Sequence, residues 1–202
     1  SLLAYRQDNL KHRLAYSTVG HLSYIVLGAA LLSPASLVGG LLHIANHATM
    51  KITLFFCAGA IYVRHRKEKI SDLDGIGKAM PWTMGAFTVA AIGLAGIPPV
   101  NGFISKWQLG LGSLQAGELL PLAVLVLSGL LNAGYFAPVI FRAFLKTPAV
   151  PYERGEASYA MVVPLLITAL LSLLLGLDPD LFFHFHRLAV AVSGSILGGI
   201  VQ

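Results

Sequence analysis

Five apolar stretches, at about 13–32, 37–63, 81–115, 119–145 and 160–177, constrain this chain more than any other feature of it. Each is long enough, or nearly so, to cross the ~30 Å hydrocarbon core of a bilayer as a helix. Lipid offers the backbone no hydrogen bonds, so a spanning segment must satisfy its own amides, and a helix does this within one stretch. Composition agrees: 56% of residues are hydrophobic and only 11% charged, against about 25% charged in a soluble domain. The mean hydropathy is +0.74. The expected fold is all-α, a polytopic transmembrane helix bundle forming a single membrane domain over 1–202, with the lipid bilayer as its solvent.

A net charge of +5 raises the question of nucleic acid. The basic residues answer it by clustering where apolar stretches end: Arg6, Lys11 and Arg13, then Arg64, Arg66, Lys67 and Lys69, then Arg142 and Lys146. That is the pattern of charge held on one side of a membrane, and no nucleic-acid partner is expected. Cys57 is the only cysteine and lies inside an apolar run, which leaves no internal disulfide and no cysteine-based metal site. Gly75-Ile76-Gly77 lacks the strand that a nucleotide-binding loop requires. The chain opens without Met and with the polar run Tyr5-Arg6-Gln7-Asp8-Asn9 rather than a signal peptide, so it reads as a piece of something longer.

The third stretch is too long for one straight helix and too short for two with a loop. At 96–102 it holds Gly96-Ile97-Pro98-Pro99-Val100-Asn101-Gly102, where two prolines and two glycines must interrupt a helix. Unpaired backbone at membrane depth is tolerated only inside protein or along a wet cavity, and transporters place ion sites at such breaks. Counting 81–115 once puts all three basic clusters on the same side, with the N-terminus cytoplasmic and the C-terminus external. The tail, 178–202, reads as an interfacial helix from Phe182, Phe183, Phe185 and His186, although the uncharged run after Leu188 keeps a sixth span open.

His43, His47 and Lys51 recur every four residues in the second stretch. Each such step turns about 40° and rises about 6 Å, so the three side chains form one stripe about 12 Å long. A lysine at mid-bilayer costs roughly 2.5–3.5 kcal/mol even on the lenient insertion scale, and the stripe must face protein or water. The plainer reading lets Lys51 snorkel and the histidines merely hydrogen-bond between helices; more than ten mostly apolar residues on either side make that a long reach. In the first stretch Ser17, His21, Tyr24 and Gly28 share a face, with His21 near mid-bilayer. Lys106 follows the break and Ser105, where loosened backbone would let a lysine gain and lose a proton; the plainer reading pairs it with Trp107 as an interfacial anchor. Asn132 and Tyr135 of the fourth stretch are candidate supporting groups.

These residues also carry a resemblance. Lys11 to Tyr24, KHRLAYSTVGHLSY, resembles the KRLLAYSSISHMGY stretch of antiporter-like membrane subunits. His43 to Lys51 is similar to their HxxxHAxxK helix, and Gly96 to Lys106 to their G(I/L)PPxxGFxSK broken helix. The family comprises the proton-pumping L, M and N-type subunits of NADH:quinone oxidoreductase, the large subunits of multisubunit cation/proton antiporters, and those of membrane-bound hydrogenases. Its members have about fourteen spans in inverted five-helix repeats. Leu73-Asp74-Gly75-Ile76-Gly77-Lys78, with Ala95-Gly96-Ile97-Pro98-Pro99, looks closest to the antiporter D-type subunit. The resemblance implies that 10–177 corresponds to the last five spans, in a multi-pass protein of the cell inner membrane. It makes His43, His47 and Lys51 residues of a central proton axis, Lys106 the broken-helix lysine near the exit, and His21 a further family histidine. It also implies other membrane subunits as partners. The first nine spans, with an essential Glu and two more lysines, have no counterpart here.

Three functions compete. The first is proton translocation, with or without cation antiport, through the His and Lys residues and intervening water. The second is a haem anchor with His21 and His43 or His47 as axial ligands, which a neighbouring Lys51 and a broken helix both disfavour. The third is a scaffold half without its own path. No cofactor and no metal are expected for the first.

Overall fold

The computed structural model describes residues 1–181 and 184–200, so Phe182 and Phe183 lie outside the described residues. Its helices start and stop where local chemistry supplies caps. After a single turn, α1 (Leu2–Tyr5), the Asn9 side chain accepts the His12 N–H at 3.1 Å and opens α2 (Leu10–Ala30). Ser33 and Ser36 form a reciprocal cap at the start of α3 (Pro34–His65), whose first residue is a proline that needs no amide partner. A 3-10 turn (Ile70–Asp72) and α4 (Ile76–Ala79) lead to α5 (Pro81–Ala95), which stops at Gly96 with φ 88°. Then come α6 (Gly102–Gln115), α7 (Leu119–Leu145), α8 (Tyr159–Leu177) and α9 (Phe185–Ile200).

The bundle is organised around α3, whose 32 residues give it a length of about 48 Å. Helix α2 runs antiparallel to it: Lys51 meets Leu14, His43 meets His21, and Gly40 meets Gly28. Helix α6 is also antiparallel, with Ser105 at His43 and Leu109 at Gly39. A Cβ on Gly39 would fall 2.7 Å from the Leu109 nitrogen, so only glycine allows this approach. On the other side Thr53 bonds Thr168 of α8 at 2.7 Å, and Ser193 of α9 donates to the Pro34 carbonyl at 3.2 Å. Met50, Leu54, Cys57 and Ile61 of α3 form the core with Met84, Phe87 and Leu94 of α5 and Phe136 and Val139 of α7.

Helices α5 and α6 cross the bundle once between them. Glu156 caps the start of α5 by accepting from Trp82 N–H at 2.7 Å and the Thr83 hydroxyl at 2.6 Å. At the far end Gln115 of α6 accepts from Ala35 N–H at 3.2 Å, beside the start of α3. All three basic clusters gather at the α5-start end, in ion pairs Lys11–Glu68 (3.0 Å), Arg64–Glu153 (3.3 Å) and Arg142–Asp74 (2.8 Å). Asp8 ties the chain start to the linker there through the Ser71 N–H (3.0 Å) and hydroxyl (2.7 Å). Burial acts to raise the Asp8 carboxyl, but the two Ser71 hydrogen bonds, Lys69 and Arg13 together hold it below its ordinary value.

Outward surfaces are apolar. Leu120, Leu127 and Leu130 of α7 are more than half exposed, an arrangement that only lipid or another membrane protein satisfies. Among the described residues, α3, α7 and α8 are each long and apolar enough to cross a membrane. The molecule is an all-α membrane helix bundle with one interrupted helix.

Candidate functional site

The four-residue spacing on α3 puts His43, His47 and Lys51 on the face that α2 covers, with α6 beside His43, and all three are buried. His43 is the centre of the array. Its Nε2 lies 3.2 Å from His21 Nδ1, and its Nδ1 lies 2.8 Å from the Ser105 hydroxyl at the start of α6. The His47 ring stacks on both, with centroids 5.3 Å from His21 and 5.9 Å from His43. Its Nε2 is buried without a hydrogen-bond partner, an orphan of the kind that ordered water fills inside proteins.

Helix α7 closes the array through Asn132. Its Nδ2 sits 3.2 Å from His21 Nε2 and 3.2 Å from the Leu94 carbonyl, and its Oδ1 accepts from the Tyr135 hydroxyl. Tyr24 stands edge-on to His21 and donates to Ser128 at 2.6 Å. The two lysines sit at the flanks. Lys51 donates to the Leu14 carbonyl at 3.0 Å and to the Ser17 hydroxyl. Lys106 donates to the Leu94 and Ala95 carbonyls at 2.7 and 3.1 Å. Those carbonyls are free because the helix ends there: the left-handed Gly96 leaves the negative pole of α5 open, and an ammonium group fits it.

All ten residues singled out by sequence therefore meet in one region. Lys51, 5% exposed and bonded to α2, does not snorkel to the bundle end. Lys106 is 9% exposed while Trp107 is 58% exposed, so the two point apart and form no anchor pair. Two axial haem ligands need a macrocycle between them, whereas His21 and His43 hydrogen-bond directly. No group of three or more His, Cys, Asp or Glu able to hold a metal occurs among the described residues.

Sequence reasoning missed a second buried polar cluster. Asn101, in the break, donates to the Thr49 hydroxyl at 3.1 Å, and its carbonyl accepts from Asn46 at 2.9 Å. Its own Oδ1 is buried and unpartnered. Arg13, a membrane-end charge by its place in the sequence, is 8% exposed and donates to the Tyr135 carbonyl at 2.6 Å. The only signals were a lone Asn inside each motif and an arginine already inside the first apolar stretch.

Comparison with known proteins places these features. The model of the family described as NADH:quinone oxidoreductase/Mrp antiporter, TM, matches residues 1–132. NADH-quinone oxidoreductase subunit N of Desulforudis audaxviator is 43% identical over 190 residues, covering 88% of this chain and 38% of the relative. The F(420)H(2) dehydrogenase subunit N of Methanosarcina mazei is 30% identical over 201 residues, covering 95% of this chain and 41% of the relative. The chain thus spans about two fifths of the length of these curated relatives. A chain of the Mrp complex from a Dietzia species superposes with a TM-score of 0.87 at 27% identity, covering 94% of this chain and 44% of that one.

Proposed function

The chain belongs to the NADH:quinone oxidoreductase/Mrp antiporter transmembrane family, and we propose that it carries part of a proton path through the membrane subunit of such a complex. The observation that carries this reading is the buried array. Three histidines and two lysines, linked by hydroxyl and amide groups, fill the centre of a bundle whose outer face is apolar. Lysines at that depth are expensive, and intramembrane ionisable residues mark ion pathways by default. Lys51 and Lys106 load and release protons at the two flanks, and His21, His43 and His47 with water pass them between. Ser17, Tyr24, Ser105, Asn132 and Tyr135 hold the rings in place.

The basic end faces the cytoplasm, the C-terminal end lies outside, and the host is a multi-pass protein of the cell inner membrane. Among the described residues every ion pair lies away from the array. Carboxylate partners for the two lysines therefore come from beyond these 202 residues, from the remainder of a longer subunit or from neighbouring membrane subunits. The same host exchanges a cation for the proton, a reading supported by the antiporter in the family's description.

Proton uptake into membrane vesicles holding the assembled host complex tests this reading. His43→Leu keeps a similar volume and removes both ring links; flux should fall about 100-fold or more, the scale of one lost proton-transfer group. Wild-type flux in that variant, with the complex intact by native gel, contradicts the role.

A further inference from the structure

We propose that Asn132 is a positioning residue that fixes which nitrogen of His21 and of His43 carries the hydrogen, and so gives the chain Asn132–His21–His43–Ser105 one direction. Its meaning for transport rests on the proton-path reading above; its geometry does not.

The Leu94 carbonyl can only accept. The Asn132 side-chain atom 3.2 Å from it must then be the amide nitrogen. The opposite orientation would set two carbonyl oxygens face to face and turn the amide nitrogen to the Tyr135 hydroxyl, which now donates to Oδ1. With the amide so oriented, its nitrogen cannot accept, so His21 Nε2 at 3.2 Å must; the Tyr24 hydroxyl, a third partner of the same nitrogen, is farther off at 3.4 Å. A neutral imidazole has one N–H, so the His21 hydrogen sits on Nδ1 and is donated to His43 Nε2 at 3.2 Å. His43 in turn carries its hydrogen on Nδ1 and donates to Ser105 at 2.8 Å.

The far end agrees. Ser105 donates onward to the Gly102 carbonyl at 3.2 Å, another atom that can only accept, and its oxygen is left to accept from His43. Every link has one donor and one acceptor. The two ends differ in kind, however. A serine hydroxyl can turn and serve either direction, whereas the Asn132 amide is held at both its oxygen and its nitrogen. Asn132 therefore sets the order and Ser105 follows it.

The two terminal carbonyls, Leu94 and Gly102, lie on opposite flanks of the helix break. Lys106 donates to the same Leu94 carbonyl at 2.7 Å, so the break holds the lysine and orients the histidines through one atom. Within the proton-path reading, a proton handed on by His43 leaves toward Ser105 and α6. That passage leaves both rings with hydrogen on Nε2, so a second proton in the same direction requires both to return to the Nδ1 form.

Nitrogen-15 NMR of histidine-labelled protein in lipid bilayers reads the tautomers directly, with signals assigned by their loss in His21→Gln and His43→Gln. In the unmodified chain both rings should carry hydrogen on Nδ1, the form that free histidine disfavours. Hydrogen on His21 Nε2 would overturn the inference, with no variant needed. In Asn132→Leu, which keeps the volume and offers no hydrogen bond, a second population with hydrogen on His21 Nε2 should appear. A spectrum that retains Nδ1–H alone would overturn it as well. Because the spectra do not depend on transport, unchanged proton flux in Asn132→Leu would count against the proton-path reading and not against the tautomer assignment.

Discussion

Replacing Gly96 with alanine should disturb the structure more than its size suggests, because two effects meet at that residue. The left-handed backbone, φ 88°, costs an alanine about 1–2 kcal/mol. The new Cβ would fall 2.7 Å from Lys106 Cδ, against an optimum of about 3.5–4.0 Å between carbons. The lysine must retreat by roughly 1 Å. That stretches its bonds to the Leu94 and Ala95 carbonyls, each worth about 0.6–1.7 kcal/mol in a membrane protein. With both bonds lost, the sum is about 2–5 kcal/mol. Gly59→Ala is the control, since nothing lies within 4 Å of its Cβ. Unfolding by increasing SDS fraction in mixed micelles measures both. Equal stability of the two variants would refute the claim that Gly96 is chosen for the break and for the lysine beside it.

Two further outcomes follow from the basic end of the bundle. Asp8, held below its ordinary value by Ser71 and its basic neighbours, contributes stability that is present above the unfolded value near 3.9 and lost as pH falls through the lower folded value. Hydrogen exchange at Ser71 N–H, corrected for its intrinsic rate, should therefore stay flat down to about pH 4 and accelerate below it; loosening that starts above about pH 5 would contradict the assignment. In a Cys57→Ser background, Lys67→Cys and Pro148→Cys should both label from the cytoplasmic side. Labelling from opposite sides would mean that α5 and α6 cross the membrane separately.

Much of this site was legible because helical spacing is strict. His43, His47 and Lys51 had to share a face whatever the tertiary fold, and Gly96-Ile97-Pro98-Pro99 had to interrupt a helix. The partners across helices were not legible, since nothing in Lys11 to Tyr24 says that His21 meets His43 rather than His47. Asn46, Thr49 and Asn101 escaped notice because single amides and hydroxyls in apolar runs are ordinary packing groups. Arg13 was misplaced because a charge near a span end is normally solvated, whereas here carbonyls of Tyr5, Gln7 and Tyr135 draw it inward. The linker motif at 73–78, with Ala95 to Pro99, pointed to an antiporter D-type subunit, while the two curated relatives above carry the N name. Two short motifs of five and six residues give less to separate subtypes than the buried array does to define the family.

The central claim is that buried lysines of this bundle move protons, and Lys106 tests it most directly. Proton flux should be measured in vesicles holding the assembled host complex with Lys106→Ala or Lys106→Glu. The alanine variant should lose flux while the complex stays assembled, because removing a costly buried amine leaves no unpaired charge behind. The glutamate variant should keep part of it, since a carboxyl can also gain and lose a proton, and in its neutral form can donate to the Leu94 carbonyl that Lys106 now holds. Wild-type flux in Lys106→Ala would contradict the account.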